Sequence, residues 1–415
     1  DDMCTNFTAR KSVERWLREN PDRTPEDWDT REMIPPTHPQ PGQVAVAPGA
    51  ASALVGQLVR EGSLRPIYRR HNSPPIGRNE GDFRVLQTLR ALCPGRDVEG
   101  TWDMMGRLAM LYLDDKQLTS VPPEIGQLTA LERLYLHNQL TSLPAEIGQL
   151  TALTALSLKN NQLTSLPAEI WHLTSLESLY LSGNQLTSVP AEIGQLTSLK
   201  WLQLDDNQLT SVPAEIGQLT SLIKLSLHNN QLTSIPAEIG HLMRQLNSLH
   251  WFDLSGNQLT SVPAEIGQLT SLKWLQLDDN QLTSVPAEIW HLTSLVRLSL
   301  DDNQLTSVPP EIGQLTALTE LSLHNNQLTS LPAEIWHLTS LEKLSLHNNQ
   351  LTSVPTEIWH LTSLESLYLS GNQLTSVPAE IGQLTALTLT ELHLDDNQLT
   401  SVPTEIWHLT SLESL

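Results

Sequence analysis

The sequence predicts an α/β solenoid, a horseshoe with a concave parallel β-sheet and short helical or 3₁₀ turns on its convex side. Three observations lead there. From Leu108 onward the chain repeats one pattern thirteen times. The period is 23 residues over most of that length, which is the mark of stacked structural units. Within each unit the leucines keep fixed phases, alternating first as a strand does and then spreading as a turn does.

One unit runs from Leu199 to Ser221. Leu202 and Leu204 point inward, and Gln203 between them points out. Asn207 follows where the backbone leaves the sheet. Its amide can bond the bare backbone groups there, and stacked copies make a ladder. Aligned copies include Asn161, Asn184, Asn230, Asn257, Asn280, Asn303, Asn326, Asn349, Asn372 and Asn397. Asn138 sits one residue early in a shortened repeat, and Lys116 replaces the asparagine in the first, so the ladder is expected to start after Lys116. The return limb is Val212-Pro213-Ala-Glu215-Ile216-Gly-Gln-Leu219. Proline suits a first helical position and glutamate the positive helix start. Seven apolar side chains per unit are worth roughly 1.5–3 kcal/mol each when fully buried, and only stacking can bury them.

These residues resemble the leucine-rich repeat family, with the pattern L-x-x-L-x-L-x-x-N-x-L-T-x-[LV]-P-x-x-I-x-x-L-x-x. The Leu-Pro-x-x-Ile turn looks like the intracellular 23-residue class, which is similar to plant Ras-group and Scribble-type repeats and to near-identical algal or protist arrays. The resemblance covers about residues 108–415. It implies binding of another macromolecule on the concave face.

Charge is unevenly placed. Residues 1–107 carry 15 Lys/Arg and 15 Asp/Glu, while residues 108–415 carry 9 and 31, so the whole net charge of −22 lies on the repeats. Such a surface repels nucleic acid and anionic membranes and favours a basic protein partner. Thirteen of the acids are the turn glutamates, Glu124 through Glu405, which read as solubilising groups at turn starts. Two cysteines, Cys4 and Cys93, make no disulfide-bearing caps, which suggests a reducing, cytoplasmic setting. No signal peptide and no run of about 20 apolar residues is present. The sequon at Asn6-Phe-Thr8 lies in an end expected to be disordered.

Residues 1–80 resemble no family and include a proline-rich linker at 35–49. Val13, Trp16 and Leu17 could form one helical face, Ala50 to Leu64 an amphipathic helix, and residues 71–81 a loop. Residues 81–107 are expected to hold a capping helix over 83–92, N-capped by Asp82, with Trp102 packing nearby. The last residues, Leu412 to Leu415, begin a fourteenth strand without a polar cap. That suggests a fragment, and self-association through the open end. Two repeats are long, around Leu242–Leu246 and Leu387–Leu389. Both insertions fall on the return limb.

Variable residues mark where chemistry could sit. Just after most strands one of three pairs recurs, Ser-Gly, Asp-Asp or His-Asn. The concave face also carries aromatics. The candidate partner-binding strip is Tyr180, Trp201, Asp205, Asp206, Trp251, Trp274, Asp278, Asp279, Asp301 and Asp302, exposed aromatics beside acids. Adjacent Asp pairs could hold calcium, but six to eight oxygens in one tight loop are wanted. His324 and His347 fall in neighbouring repeats, yet two ligands alone make a weak site. No metal, cofactor or catalytic residue is therefore assigned. Five Trp-His pairs, from Trp171-His172 to Trp407-His408, lie on the convex limb as core-edge packing or as a second binding edge. The chain is read as a non-enzymatic recognition scaffold. It could alternatively be the regulatory or sensor arm of a larger signalling enzyme, or a structural spacer.

Overall fold

The computed structural model describes residues 69–70, 79–236, 248–386 and 389–413. The chain divides into two compact units, Asp1–Pro66 and Ile67–Leu415, and every described residue belongs to the second. The helices expected near Trp16 and over 50–64, the expected linker at 35–49 and the first long repeat's insertion lie outside the described residues.

A single 15-stranded sheet runs in sequence order. It opens with β1 (Arg69–Arg70), β2 (Glu99–Trp102) and β3 (Leu108–Tyr112). The repeats then supply β4 (Arg133–Tyr135), β5 (Ala155–Ser157), β6 (Ser178–Tyr180), β7 (Trp201–Gln203), β8 (Lys224–Ser226) and β9 (Trp251–Asp253). There follow β10 (Trp274–Gln276), β11 (Arg297–Ser299), β12 (Glu320–Ser322), β13 (Lys343–Ser345), β14 (Ser366–Tyr368) and β15 (Glu391–His393). From β3 on, all pairing is parallel and equivalent residues face each other. β8 and β9 flank the first insertion and still pair in register, so those extra residues leave the sheet intact. The second insertion follows a return turn lengthened to Ala379–Ala386.

The turns are 3₁₀, mostly five residues long, as in Ala214–Gln218. Proline sits one place earlier than expected. Pro213 is the extended N-cap, with φ −71 and ψ 147, and its carbonyl accepts from Ile216 N at 3.2 Å. Only where prolines are doubled, at Pro123 and Pro310, does one occupy the first helical turn. Inside, Leu199, Leu202, Leu204, Leu209, Val212, Ile216 and Leu219 are all buried, and their equivalents join one continuous apolar core.

The asparagine ladder is present and begins at Asn138, whose Oδ1 accepts from Lys116 N and Leu118 N. Asn280 shows the standard pattern. Its Oδ1 accepts from Leu259 N at 3.0 Å, and its Nδ2 donates to the carbonyls of Leu254, Leu277 and Asp278. The residue just before the ladder position bends left-handed, with φ between 49 and 56 at Asp115, Asn160, Asp206, Asn229, Asp279, Asp302, Asn325, Asn348 and Asp396, and glycine at 183, 256 and 371. Few residues other than Gly, Asn and Asp tolerate that backbone. Half of the Ser-Gly, Asp-Asp, His-Asn pattern is thus a backbone requirement.

The N-terminal helix, α1, spans Glu80–Leu92 and packs Val85, Leu86 and Leu89 into the core. Its N-cap is Asn79, which accepts from Gly81 N and Asp82 N, and not Asp82. Asp82 is buried instead, and its carboxylate accepts from Leu108 N at 2.9 Å, tying the helix to β3. Two antiparallel pairings, β1 with β2 and β2 with β3, extend the sheet beside this helix, and Trp102 is buried there.

Replacing Asn280 by Ala should strand the buried N–H of Leu259 and take one of the hydrogen bonds accepted by each of the carbonyls of Leu254, Leu277 and Asp278, costing about 1–3 kcal/mol. Urea unfolding compares the two chains, and an unchanged midpoint would falsify a structural role for the ladder.

Candidate functional site: the concave face

Three side-chain columns cross the concave face, and in-register pairing sets what stands next to what. The first strand position brings Trp201, Lys224, Trp251 and Trp274 into one row. The rings of Trp251 and Trp274 lie 5.5 Å apart, and Lys224 Nζ stands 4.4 Å over the Trp251 ring. All three tryptophans are half-buried. Burial holds the Lys224 ammonium below the usual lysine range, against the pull of Asp205 and Asp253.

Tyr180 does not extend this row. It sits in the second column of β6, is only 3% exposed, and has Lys159 Nζ 4.9 Å from its ring centre. Its register neighbour on β7 is Gln203. Tyr180 is therefore not one of the exposed aromatics expected from the sequence, and the aromatic part of the strip is left with the tryptophans.

The predicted acids separate into three kinds. Asp206, Asp279 and Asp302 are exposed on the left-handed bends. Asp205 is buried and faces His228, whose Nδ1 stands 3.1 Å from Asp205 Oδ1 and 3.7 Å from Asp253 Oδ2, while Nε2 stands 3.8 Å from Asp206 Oδ2. This histidine is pushed up to about 9, chiefly by its contact with Asp205, with burial opposing and Asp253 and Asp206 adding. Burial raises Asp205, but His228, Ser226 and Lys224 together bring it below the ordinary aspartate value. Burial raises Asp253. The two carboxylates and the imidazolium form a clamp across β7, β8 and β9.

Asp278 and Asp301 make the third kind. They line one cavity of about 320 Å³ with His324, His347 and Arg297. Asp278 is pushed up to about 7, first by burial and then by the charge of Asp301. The rings of His324 and His347 stack, with centroids 4.1 Å apart. Burial, then the neighbouring His324, lowers His347.

Sequence reasoning missed Lys224, His228 and Asp253. A signal existed for the last. Trp251-Phe-Asp-Leu254 is the one repeat with an acid in the second column, where the others carry Ser, Gln, Tyr or His. On the convex side, Trp171, Trp290 and Trp336 are buried, as core-edge packing requires, whereas Trp359 and Trp407 are exposed.

Parallel strands, 3₁₀ returns and a laddered asparagine define a solenoid of stacked repeats. Family descriptions agree: "Leucine-rich repeat region" matches residues 154–250 and 240–348, "Leucine Rich repeats (2 copies)" 339–381, and "Leucine Rich Repeat" 388–409. The chain belongs to the leucine-rich repeat family. It is similar to a solved leucine-rich repeat protein of Leptospira interrogans, at 47% identity and TM-score 0.70, covering 74% of this chain and 79% of that one. It is similar to a plant peptide hormone receptor solved in complex with its peptide RGF2, at 32% identity and TM-score 0.65, covering 78% of this chain and 52% of the receptor chain. An internalin of Listeria monocytogenes matches at 25% identity and TM-score 0.66, covering 80% and 94%. A search of curated proteins returns no match. Among the described residues no helix is long and apolar enough to cross a membrane.

The His228 clamp makes stability depend on pH. A histidine raised from 6.5 to about 9 on folding stabilises fully below pH 6.5, and that contribution disappears as pH rises through about 9. Because a third of the side chain is exposed, the contribution is discounted to roughly 1–2 kcal/mol. Urea unfolding at pH 6.5 and pH 10 should show parent and His228→Gln separated by that amount at the lower pH and converging at the higher. A constant gap would refute the clamp.

Proposed function

We propose that the concave face is a recognition surface for a protein or peptide with a basic segment, anchored on the row Trp201, Lys224, Trp251 and Trp274. The observation that carries this reading is that row itself. Three half-exposed indoles in register over β7, β9 and β10 form an apolar centre, bordered by exposed carboxylates at Asp206, Asp279 and Asp302. Central aromatic anchors with a charged rim are the anatomy of binding hot spots. Strands about 4.8 Å apart put Trp201 and Trp274 roughly 14 Å from each other, well within a standard interface. The plant peptide hormone receptor solved in complex with RGF2 supplies precedent for a binding role of such arrays, not for the partner.

The role is recognition without catalysis. A cytoplasmic setting belongs to the same proposal, and the buried, unpaired thiol of Cys93 supports it.

A display library of Lys/Arg-rich peptides tests the surface directly. Selected peptides should lose more than about 2 kcal/mol of affinity when Trp201, Trp251 and Trp274 are all replaced by Ala. Replacing Asp206, Asp279 and Asp302 by Asn should mainly slow association and flatten its salt dependence. Selection of no basic peptide, or equal binding by the parent and the triple tryptophan variant, would reject the proposal.

A further inference from the structure

Asp301, Asp302 and His324 each place a donor atom within 4.8 Å of the other two, across two adjacent repeats. From the sequence, the acid pairs and the histidines look like separate, insufficient sets. Register joins them, because the residues just past β11 stand beside those just past β12.

The spacing within the set is informative. His324 Nε2 stands 3.5 Å from Asp301 Oδ2 and 3.7 Å from Asp302 Oδ2. Those separations are long for charge-assisted hydrogen bonds, which run at about 2.7–2.9 Å. Two ligand atoms held at 2.0–2.2 Å by one tetrahedral ion lie roughly 3.4 Å apart. The clamp at His228 differs in this respect, since its Nδ1 closes to 3.1 Å on a carboxylate and forms an ordinary ion pair.

The far side of two of the donors is anchored. His324 Nδ1 lies 2.9 Å from Ser322 Oγ, which can accept its proton and leave Nε2 as the free lone pair. Asp302 Oδ1 accepts from Asn325 Nδ2 at 2.7 Å, leaving Oδ2 turned to the cluster. Outer hydrogen bonds of this kind orient metal ligands. Next door, His347 stacks on His324, and its Nδ1 is buried without a hydrogen-bond partner. Asp301, His324 and His347 line the 320 Å³ cavity, which leaves room for a water or an incoming donor beside the cluster.

We propose that Asp301, Asp302 and His324 bind one divalent transition-metal ion of the zinc class, with a remaining coordination position open to the concave face. A mixed imidazole and carboxylate set favours such ions over calcium or magnesium, which prefer all-oxygen shells. Three protein ligands and an open position would let a carboxylate or imidazole supplied from outside complete the shell. The site does not depend on the tryptophan row being a binding surface.

Chelator-stripped protein titrated with Co²⁺ should take up one equivalent with the visible absorption of a tetrahedral site, and Zn²⁺ should displace it. His324→Ala should abolish that absorption. Asp302→Asn, which preserves side-chain shape, should weaken Co²⁺ binding at least tenfold with an unchanged circular-dichroism spectrum. His337→Ala, on the convex limb, should bind as the parent does. The proposal is overturned if no tetrahedral absorption develops, if a folded His324→Ala or Asp302→Asn variant binds Co²⁺ as tightly as the parent, or if a tenfold excess of Ca²⁺ displaces the ion.

Discussion

A carboxamide with one acceptor and one two-handed donor holds this structure to its period. Each ladder asparagine reaches backward to the previous repeat and inward to its own, so Asn280 bonds Leu259 and Leu254 on one side and Leu277 and Asp278 on the other. The groups it satisfies are backbone groups at the point where the sheet ends. Without it, the chain could not leave the sheet at one fixed height in every repeat. The leucine core supplies most of the favourable free energy, but it is nondirectional. The asparagine fixes the register, and the register decides which outward side chains become neighbours.

Everything chemical on the concave face follows from that alignment. Lys224 meets Trp251 because β8 and β9 pair residue for residue despite the insertion between them. His228 meets three aspartates from the two repeats that flank its own for the same reason. Near-identical copies would give a uniform surface. Small departures, a histidine here and an extra acid there, become local clusters because their heights are shared.

The sequence made the repeat architecture legible, since leucine phase, asparagine phase and proline-containing turns recur often enough to average out local ambiguity. It failed where a property depends on two repeats at once. Tyr180 looks like an exposed aromatic by phase, but its neighbourhood on β5 and β7 buries it. Asp205 looks like a surface acid, but the His228 clamp encloses it. The cap of α1 shifted from Asp82 to Asn79 because Asp82 has a better acceptor role at Leu108 N, a contact 26 residues away that no local rule sees. The convex Trp-His pairs split likewise, with identical dipeptides buried at Trp290 and exposed at Trp407.

The left-handed bend after each strand also limits what this surface can be made to say. At Asp206, Asn229, Gly256 and their equivalents, three letters of the amino-acid alphabet serve where the neighbouring columns admit tryptophan, lysine, serine or glutamate. One acidic, one neutral and one blank character are available there, and none is basic. Successive duplications can rewrite the first three columns freely, but along this fourth line they can only choose how much negative charge to print. The acidity of the array is therefore partly a grammatical consequence of its backbone.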